Sequence, residues 1–216
     1  MRLGIKNLLK AILLYLNRVP LVNQIKLHGN NKAEIHSIIF RSRISCNGAN
    51  NIIKIGRGGI LRNCKISITG SNNTIEIGEN VNIINGDICL EDDGNRLYID
   101  EKTNLCGKVH LAVTEGTTIK IGKECLLSSE IVFRTGDSHA ILNMDGKRVN
   151  PAKDITLEDR VWVGHRVLIN KGVVLPKGTI VGTGAVVTKP IEDENTVIAG
   201  NPARIVKRNI QWKYER

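Results

Sequence analysis

Residues 155–190 read ITLEDR, VWVGHR, VLINKG, VVLPKG, TIVGTG and AVVTKP when cut every six positions. The first column of these hexads is Ile155, Val161, Val167, Val173, Thr179 and Ala185; the third is Leu157, Val163, Ile169, Leu175, Val181 and Val187. Both columns are apolar or small throughout. A period of six, built from short β-branched pieces, fits neither a helix nor an ordinary sheet. It marks a β-solenoid, in which each coil stacks on the next. Strand alternation then sets directions. With Val161 and Val163 inward, Trp162 points out, as do Leu168, Val174, Ile180 and Val186. One coil is 18 residues, so Trp162 sits beneath Ile180 and Leu168 beneath Val186. An outward apolar column needs cover, and an oligomer is expected.

Toward the N-terminus the period lengthens. Ile55-Gly56, Ile77-Gly78, Ile99-Asp100 and Ile121-Gly122 stand 22 residues apart, in the contexts IKIG, IEIG, YID and IKIG. Leucine-rich repeats share this length range, but their Leu-x-x-Leu-x-Leu frame and its Asn are not visible, and no helix pattern fills the rest of each unit. Irregular coils of 22 that become regular coils of 18 are the simpler account. Between the two regimes the hexad register runs Ile121, Leu127, Phe133 and then His139, where it fails, to return at Ile155. The intervening segment, with Gly146 and Pro151, reads as a polar loop thrown out from one corner. Loops on rigid scaffolds tend to carry function.

Residues 2–18 carry an apolar stripe of Leu8, Leu9, Ile12, Leu13 and Leu16 opposite Lys6, Asn7, Lys10 and Asn17, and Pro20 ends it. A helix is expected there: a cap on the first coil, a basic interfacial helix touching a membrane, or a docking helix for a partner. Its continuous apolar run, residues 11–16, is too short to span a bilayer and is not followed by a signal-peptide cleavage pattern. The expected layout is therefore a helical segment over residues 1–30, a solenoid over 31–206 with an inserted loop at 139–154, and a tail over 207–216.

Composition narrows the chemistry. Aromatics are 3% of the 216 residues, so Ile, Val and Leu must fill the core. Five cysteines form no CxxC pair and no His/Cys cluster, so no metal site is expected. An odd count without a signal peptide favours reduced thiols in the cytoplasm, with membrane association if residues 2–18 lie on a bilayer. The net charge of +10 fits a merely solvated basic surface, and equally a polyanionic partner such as a phosphorylated cofactor or an acidic saccharide. The basic residues are scattered and no nucleic-acid-binding motif appears, so no nucleic-acid partner is expected.

The hexads resemble those of the hexapeptide-repeat acyltransferases, over about residues 50–206. RVWVG (160–164) resembles that family's Trp-containing coil, GTGAVVTK (182–189) its coenzyme A-binding coil and AGNPARIVK (199–207) its closing loop. TGDSHAI (135–141) is similar to the segment that holds the catalytic histidine of the sugar and polysaccharide O-acetyltransferases. The resemblance implies an all-β fold, a left-handed parallel β-helix; spacing alone does not give the hand. It also implies a homotrimer with sites between neighbouring chains and acetyl-CoA as co-substrate. The acceptor would be a sugar hydroxyl of a surface polysaccharide (capsule, O-antigen or exopolysaccharide) or its precursor.

Acetyl transfer from a thioester to a hydroxyl needs a base, a held thioester and donors for the tetrahedral oxyanion. His139, where the coil breaks, suits the base, with His165 as the alternative. Asp137 stands in the column of Cys125 and Ile131, which predicts that it turns inward; it would orient the His139 imidazole, hold an acceptor, or bond backbone at a corner. Trp162 points out and would wall the acceptor site or the pantetheine arm, or pack against another chain. Gly164, Gly182, Gly184 and Ala185 admit a ligand to the backbone, and their N–H groups would meet pantetheine or the oxyanion; corner geometry needs them as well. By resemblance, Lys189 and Arg204 lie near the coenzyme A phosphates. No cysteine is placed as nucleophile, and no serine but Ser138 has a base beside it, so direct transfer without an acyl-enzyme is expected. An N-acetyltransferase of an amino sugar nucleotide is the alternative, and a non-catalytic scaffold the third reading; residues 1–50 lack the GxGxxG of an added nucleotide-binding domain.

Overall fold

The structure, a computed structural model, describes residues 22–215. The helix expected over residues 2–18 lies outside the described residues. Within them the chain is all-β and winds into a left-handed parallel β-helix with three faces. Face A stacks eight strands, from Gln24–Leu27 to Val186–Val187; face B stacks seven, from Lys32–Ile35 to Val174–Leu175; face C stacks nine, from Ile38–Phe40 to Ala203–Lys207. The chain passes from A to B to C in every coil, which defines three corners: A/B, B/C and C/A. Strand pairing is parallel until the last hairpin, where Val197–Gly200 meets Ala203–Lys207 antiparallel.

Both periods are visible in the register. Arg43 pairs with Lys65 and Ile52 with Thr74 in the long coils, Leu168 with Val186 and Trp162 with Ile180 in the short ones. All twelve residues of the two hexad columns are buried. Trp162 and Val174 are each 38% exposed, and Leu168, Ile180 and Val186 are half-buried. Each inward Ile, Leu or Val contributes about 1.5–3 kcal/mol by leaving water. The stack of inward residues therefore dominates the stability, and a charge at Ile119, fully buried between Leu97 and Ile155, would break it.

The A/B corner holds a polar device that the apolar columns did not reveal. Asn51, Asn73 and Asn95 are fully buried and 22 residues apart. Each side-chain oxygen accepts from the next coil: Asn51 Oδ1 from Asn73 N (2.8 Å) and Nδ2 (3.0 Å), and Asn73 Oδ1 from Asn95 N (2.8 Å) and Nδ2 (3.0 Å). The ladder ends where Gly116 N donates to Asn95 Oδ1 at 3.0 Å. The asparagine column discounted on sequence is thus present, as a solenoid ladder that satisfies buried polar groups.

The segment boundaries also differ. Gln24–Leu27 already pairs with Arg43–Asn47, so the solenoid begins inside the segment assigned to residues 1–30. At the other end, residues 208–215 are no loose tail. Ile210 N donates to Asn195 O (3.0 Å), Trp212 Nε1 to Arg160 O (2.7 Å) and Tyr214 Oη to Glu124 O (3.2 Å). The tail runs back along the B/C corner as a strap.

Candidate active site

The solenoid is interrupted where the sequence register fails. Val132 pairs with Leu168 and Lys120 with Thr156, 36 positions on in both cases. That is one coil of 18 plus an excursion from the A/B corner. The excursion closes as a small hairpin: Leu142 bridges Arg148, Val149 N donates to Ile141 O (2.8 Å), and Asn143 Oδ1 accepts from Lys147 N (2.8 Å). It is less polar than its composition suggested. Ile141, Leu142 and Val149 are more than half exposed and Met144 is fully exposed, an apolar tip in keeping with cover by another chain.

Asn150, which sequence reasoning missed, ties this excursion down. It is 7% exposed. Its Nδ2 donates to His139 O (2.8 Å) and Asp137 Oδ2 (2.9 Å), and its Oδ1 accepts from Ile141 N (2.7 Å) and Arg148 Nε (3.3 Å). Arg148 in turn grips Glu115 with two bonds of 2.9 and 2.6 Å. The Asn-Pro pair 150–151 at the loop's end was the available signal. His139 therefore has a fixed backbone. Its ring is exposed and has no hydrogen-bond partner among the described residues.

Asp137 departs from expectation. The strand ends at Arg134, three residues before the column of Cys125 and Ile131 would bring Asp137 inward. Asp137 instead points out, and its Oδ2 accepts from Lys171 Nζ and Asn150 Nδ2. The Lys171 ammonium, with the Asn150 amide, holds its carboxyl below the usual aspartate range. It makes no described contact with the His139 ring, so it serves the loop rather than the imidazole. Beside it opens a cleft of about 470 Å³ lined by Arg134, Asp137, Lys153, Asn170, Lys171 and Thr188, with cations in excess. Lys189 follows at the same corner.

The remaining site residues lie elsewhere on the prism. Gly164, Gly182, Gly184 and Ala185 stack at the C/A corner. Their N–H groups are already spent: on Val181 O, Ile198 O and His165 O at 2.8 Å each, and on Gly182 O at 3.3 Å. The expected donation from these amides to a ligand is therefore not met. Gly164 is required by packing, since a Cβ there would lie 2.8 Å from Val181 O; Gly184 has φ +72° and opens onto free space, so a ligand can reach that backbone. The Ala185 methyl is buried. Arg204 pairs with Ala199, which adjoins Gly182.

Trp162 lies on face C between Leu126 and Ile180. Its indole N–H has no acceptor among the described residues, and part of its cover comes from the strap rather than another chain: the Trp212 ring is 6.0 Å away. His165 is not idle. Its Nδ1 lies 2.8 Å from Ser129 Oγ, a serine–imidazole pair that sequence reasoning missed because the excursion sets the two residues 36 apart. Among the described residues no group of three or more His, Cys, Asp or Glu is placed to hold a metal.

One chain thus does not gather the predicted residues. His139 and Asp137 stand at the A/B corner, the glycine coil at C/A, and Trp162 on face C.

No protein-family model matches the chain. It is 48% identical over 101 residues to a polysialic acid O-acetyltransferase of Escherichia coli O1:K1 / APEC, covering 46% of this chain and 33% of that protein. It is 39% identical over 107 residues to a polysialic acid O-acetyltransferase of Neisseria meningitidis, covering 49% and 50%. These matches span a third and a half of the relatives' own lengths. Among solved structures, the polysialic acid O-acetyltransferase OatWY superposes with a TM-score of 0.78 at 32% identity, over 90% of this chain and 89% of that one. The polysialic acid-specific acetyltransferase NeuO does so with 0.78 at 29%, over 89% of each.

Proposed function

Since the chain belongs to the hexapeptide-repeat acyltransferases, among the sugar O-acetyltransferases, we propose that it transfers acetyl from acetyl-CoA to a hydroxyl of an acidic surface polysaccharide. The observation that carries the reading is His139: a backbone clamped by Asn150 and an exposed ring with no hydrogen-bond partner among the described residues, at the break in the solenoid. The imidazole takes the hydroxyl proton as the sugar oxygen attacks the thioester carbon. The tetrahedral intermediate then collapses with loss of the C–S bond, and the imidazolium returns its proton to the departing thiolate. With the coil amides spent, the Trp162 indole N–H is the donor assigned to the oxyanion. Gly184 and Arg204 lie along the pantetheine path.

His139 and Trp162 lie on different parts of the prism, so we assign the site to two neighbouring chains of a homotrimer. The cleft of Arg134, Lys153 and Lys171 beside the loop supports an acidic acceptor, as does the polysialic acid named for the relatives. All five thiols are free, which suits a reducing compartment, and we place the reaction in the cytoplasm.

The test is transfer from labelled acetyl-CoA to a panel of acidic polysaccharides, neutral saccharides and amino sugars. Label released by mild base identifies an ester; label that resists identifies an amide and the alternative N-acetyl reaction. His139→Ala should abolish transfer. A variant as fast as the parent would overturn the base assignment, and a parent inert on every acceptor would overturn the function.

The Ser129–His165 pair favours a second reading, a covalent route. There Ser129 Oγ attacks the thioester carbon and gives its proton to His165, the C–S bond breaks as the imidazolium protonates the departing thiolate, and the sugar hydroxyl, losing its proton to the freed imidazole, then takes the acetyl group from Ser129. Intact mass after incubation with acetyl-CoA alone separates the routes: an acetyl adduct absent from Ser129→Ala supports the covalent one. No adduct, with transfer intact in Ser129→Ala, supports direct transfer.

A further inference from the structure

The chain contains two tryptophans, 50 residues apart in sequence, and the fold packs them together. We propose that Trp212, carried by the C-terminal strap, is a positioning residue that sets the Trp162 indole for the oxyanion. The inference rests on the reaction proposed above. Trp212 is 6% exposed, while Trp162 is 38% exposed, so one ring is held and the other is presented. The held ring is fixed on several sides. Its Nε1 donates to Arg160 O (2.7 Å), Arg160 Nη2 donates back to Trp212 O (2.9 Å), and the Arg160 guanidinium sits 5.3 Å from the ring centroid. Tyr214 packs edge-on against it at 5.1 Å, and Arg160 Nη1 is itself braced by Glu124 Oε2 at 3.2 Å.

Among the described residues Trp162 has no comparable hold on its own indole N–H. Its backbone is locked in face C, with Leu126 and Ile180 stacked on either side, and the Trp212 ring lies against it at 6.0 Å and an interplanar angle of 49°. A half-exposed indole without that neighbour samples several rotamers. A donor acts on a developing charge only when it is already aimed. The strap therefore turns a mobile surface ring into an oriented donor. It does so from outside the reaction, since the Trp212 N–H is already committed to Arg160.

The closing experiment uses the full chain and four variants: Trp212→Ala, Trp212→Phe, Trp162→Phe and the double variant Trp162→Phe with Trp212→Ala. With two indoles paired at this distance, the parent should show an exciton couplet in far-ultraviolet circular dichroism, lost in Trp212→Ala and in Trp162→Phe. Trp212→Ala should lower kcat about 10- to 100-fold, as a misplaced catalytic group does, with the KM for acetyl-CoA unchanged. In the Trp162→Phe background, Trp212→Ala should cost nothing further, because the residue it aims is gone. Trp212→Phe, which keeps a ring against Trp162, should recover most of kcat. Equal losses in both backgrounds would make Trp212 merely structural and overturn the proposal. So would an active parent without the couplet. A parent with the couplet that transfers no acetyl group to any acceptor would overturn the reaction instead, while the pairing stands.

Discussion

Replacing Asn150 by Ala should disable the enzyme without unfolding it. The side chain makes four hydrogen bonds between 2.7 and 3.3 Å, two of them to the charged groups Asp137 and Arg148. A net contribution of about 1 kcal/mol each is usual. The site lies at the rim of the solenoid, where water replaces part of what is lost, so the loop should lose about 2 kcal/mol of order. At 1.4 kcal/mol per tenfold, that shifts the ordered-to-open ratio of the loop carrying His139 about 30-fold toward open. The variant should show kcat lowered by up to about 30-fold and an unchanged KM for acetyl-CoA. The Tm should not move, because the excursion can open by itself while the coils stay closed. Hydrogen exchange supplies an independent readout: the amides of Ile141 and Val149, bonded to Asn150 Oδ1 and Ile141 O, should exchange faster in the variant. Faster exchange with kcat within twofold of the parent would refute the argument that loop order places the base. A fall in Tm of several degrees would refute the claim that the excursion and the coils are energetically separate.

Three further expectations bear on the fold and the acceptor. Asn73→Ala leaves the Asn95 N–H and amide without their acceptor and breaks the bonds to Asn51 and Asp92; stability should fall by about 3 kcal/mol, read as a lower Tm, and a change below 1 kcal/mol would show the ladder to be dispensable. Burial pushes the Cys125 thiol from 9.0 to about 12, so above pH 9.0 the unfolded chain releases a proton that the native chain keeps. Stability should therefore fall as pH rises through that window, and Cys125→Ala should flatten the fall in a Tm-against-pH series. Arg134→Glu with Lys153→Glu should raise the KM for an acidic acceptor more than tenfold at low salt and spare a neutral one; a rise confined to acetyl-CoA would reassign the cleft to the cofactor's phosphates.

The parts of this fold that sequence reading reached are those governed by a two-valued rule. Along a strand a side chain faces in or out, so the hexad columns at Val161 and Val163 fixed Trp162 outward, and a coil of 18 put it beneath Ile180. The misses have another origin. Asn51, Asn73 and Asn95 repeat as regularly as the isoleucines, but a search for apolar columns discards them, although a buried polar ladder needs the same period. Asp137 was misplaced because a hexad column says nothing about where a strand stops, and this one stops at Arg134. Ser129 and His165 occupy one corner in adjacent coils, and the excursion hides their relation by doubling the spacing. Trp212 lies in a segment with no period, so its contact with Trp162 follows only from the path of the strap.

The division of the site over the prism bears on how the chain must assemble. A residue at the A/B corner and a residue on face C of the same chain are held apart by a packed interior of Ile, Val and Leu. No side-chain motion joins them, because the cores of such stacks do not deform continuously. They meet only if the A/B corner of one chain is laid against face C of another. That contact is heterologous, one patch against a different patch, and it generates either a closed ring or an open filament. The homotrimer proposed above is the case in which such a contact closes into a ring. The apolar hairpin of Ile141, Leu142, Met144 and Val149 stands at the A/B corner, and Trp162 and Ile180 stand half-covered on face C. Each is an apolar surface that the described residues leave at least partly exposed. In the proposed trimer the excursion that carries His139 would also be what reaches the neighbour, so that assembly and catalysis would depend on the same interruption of the hexad repeat.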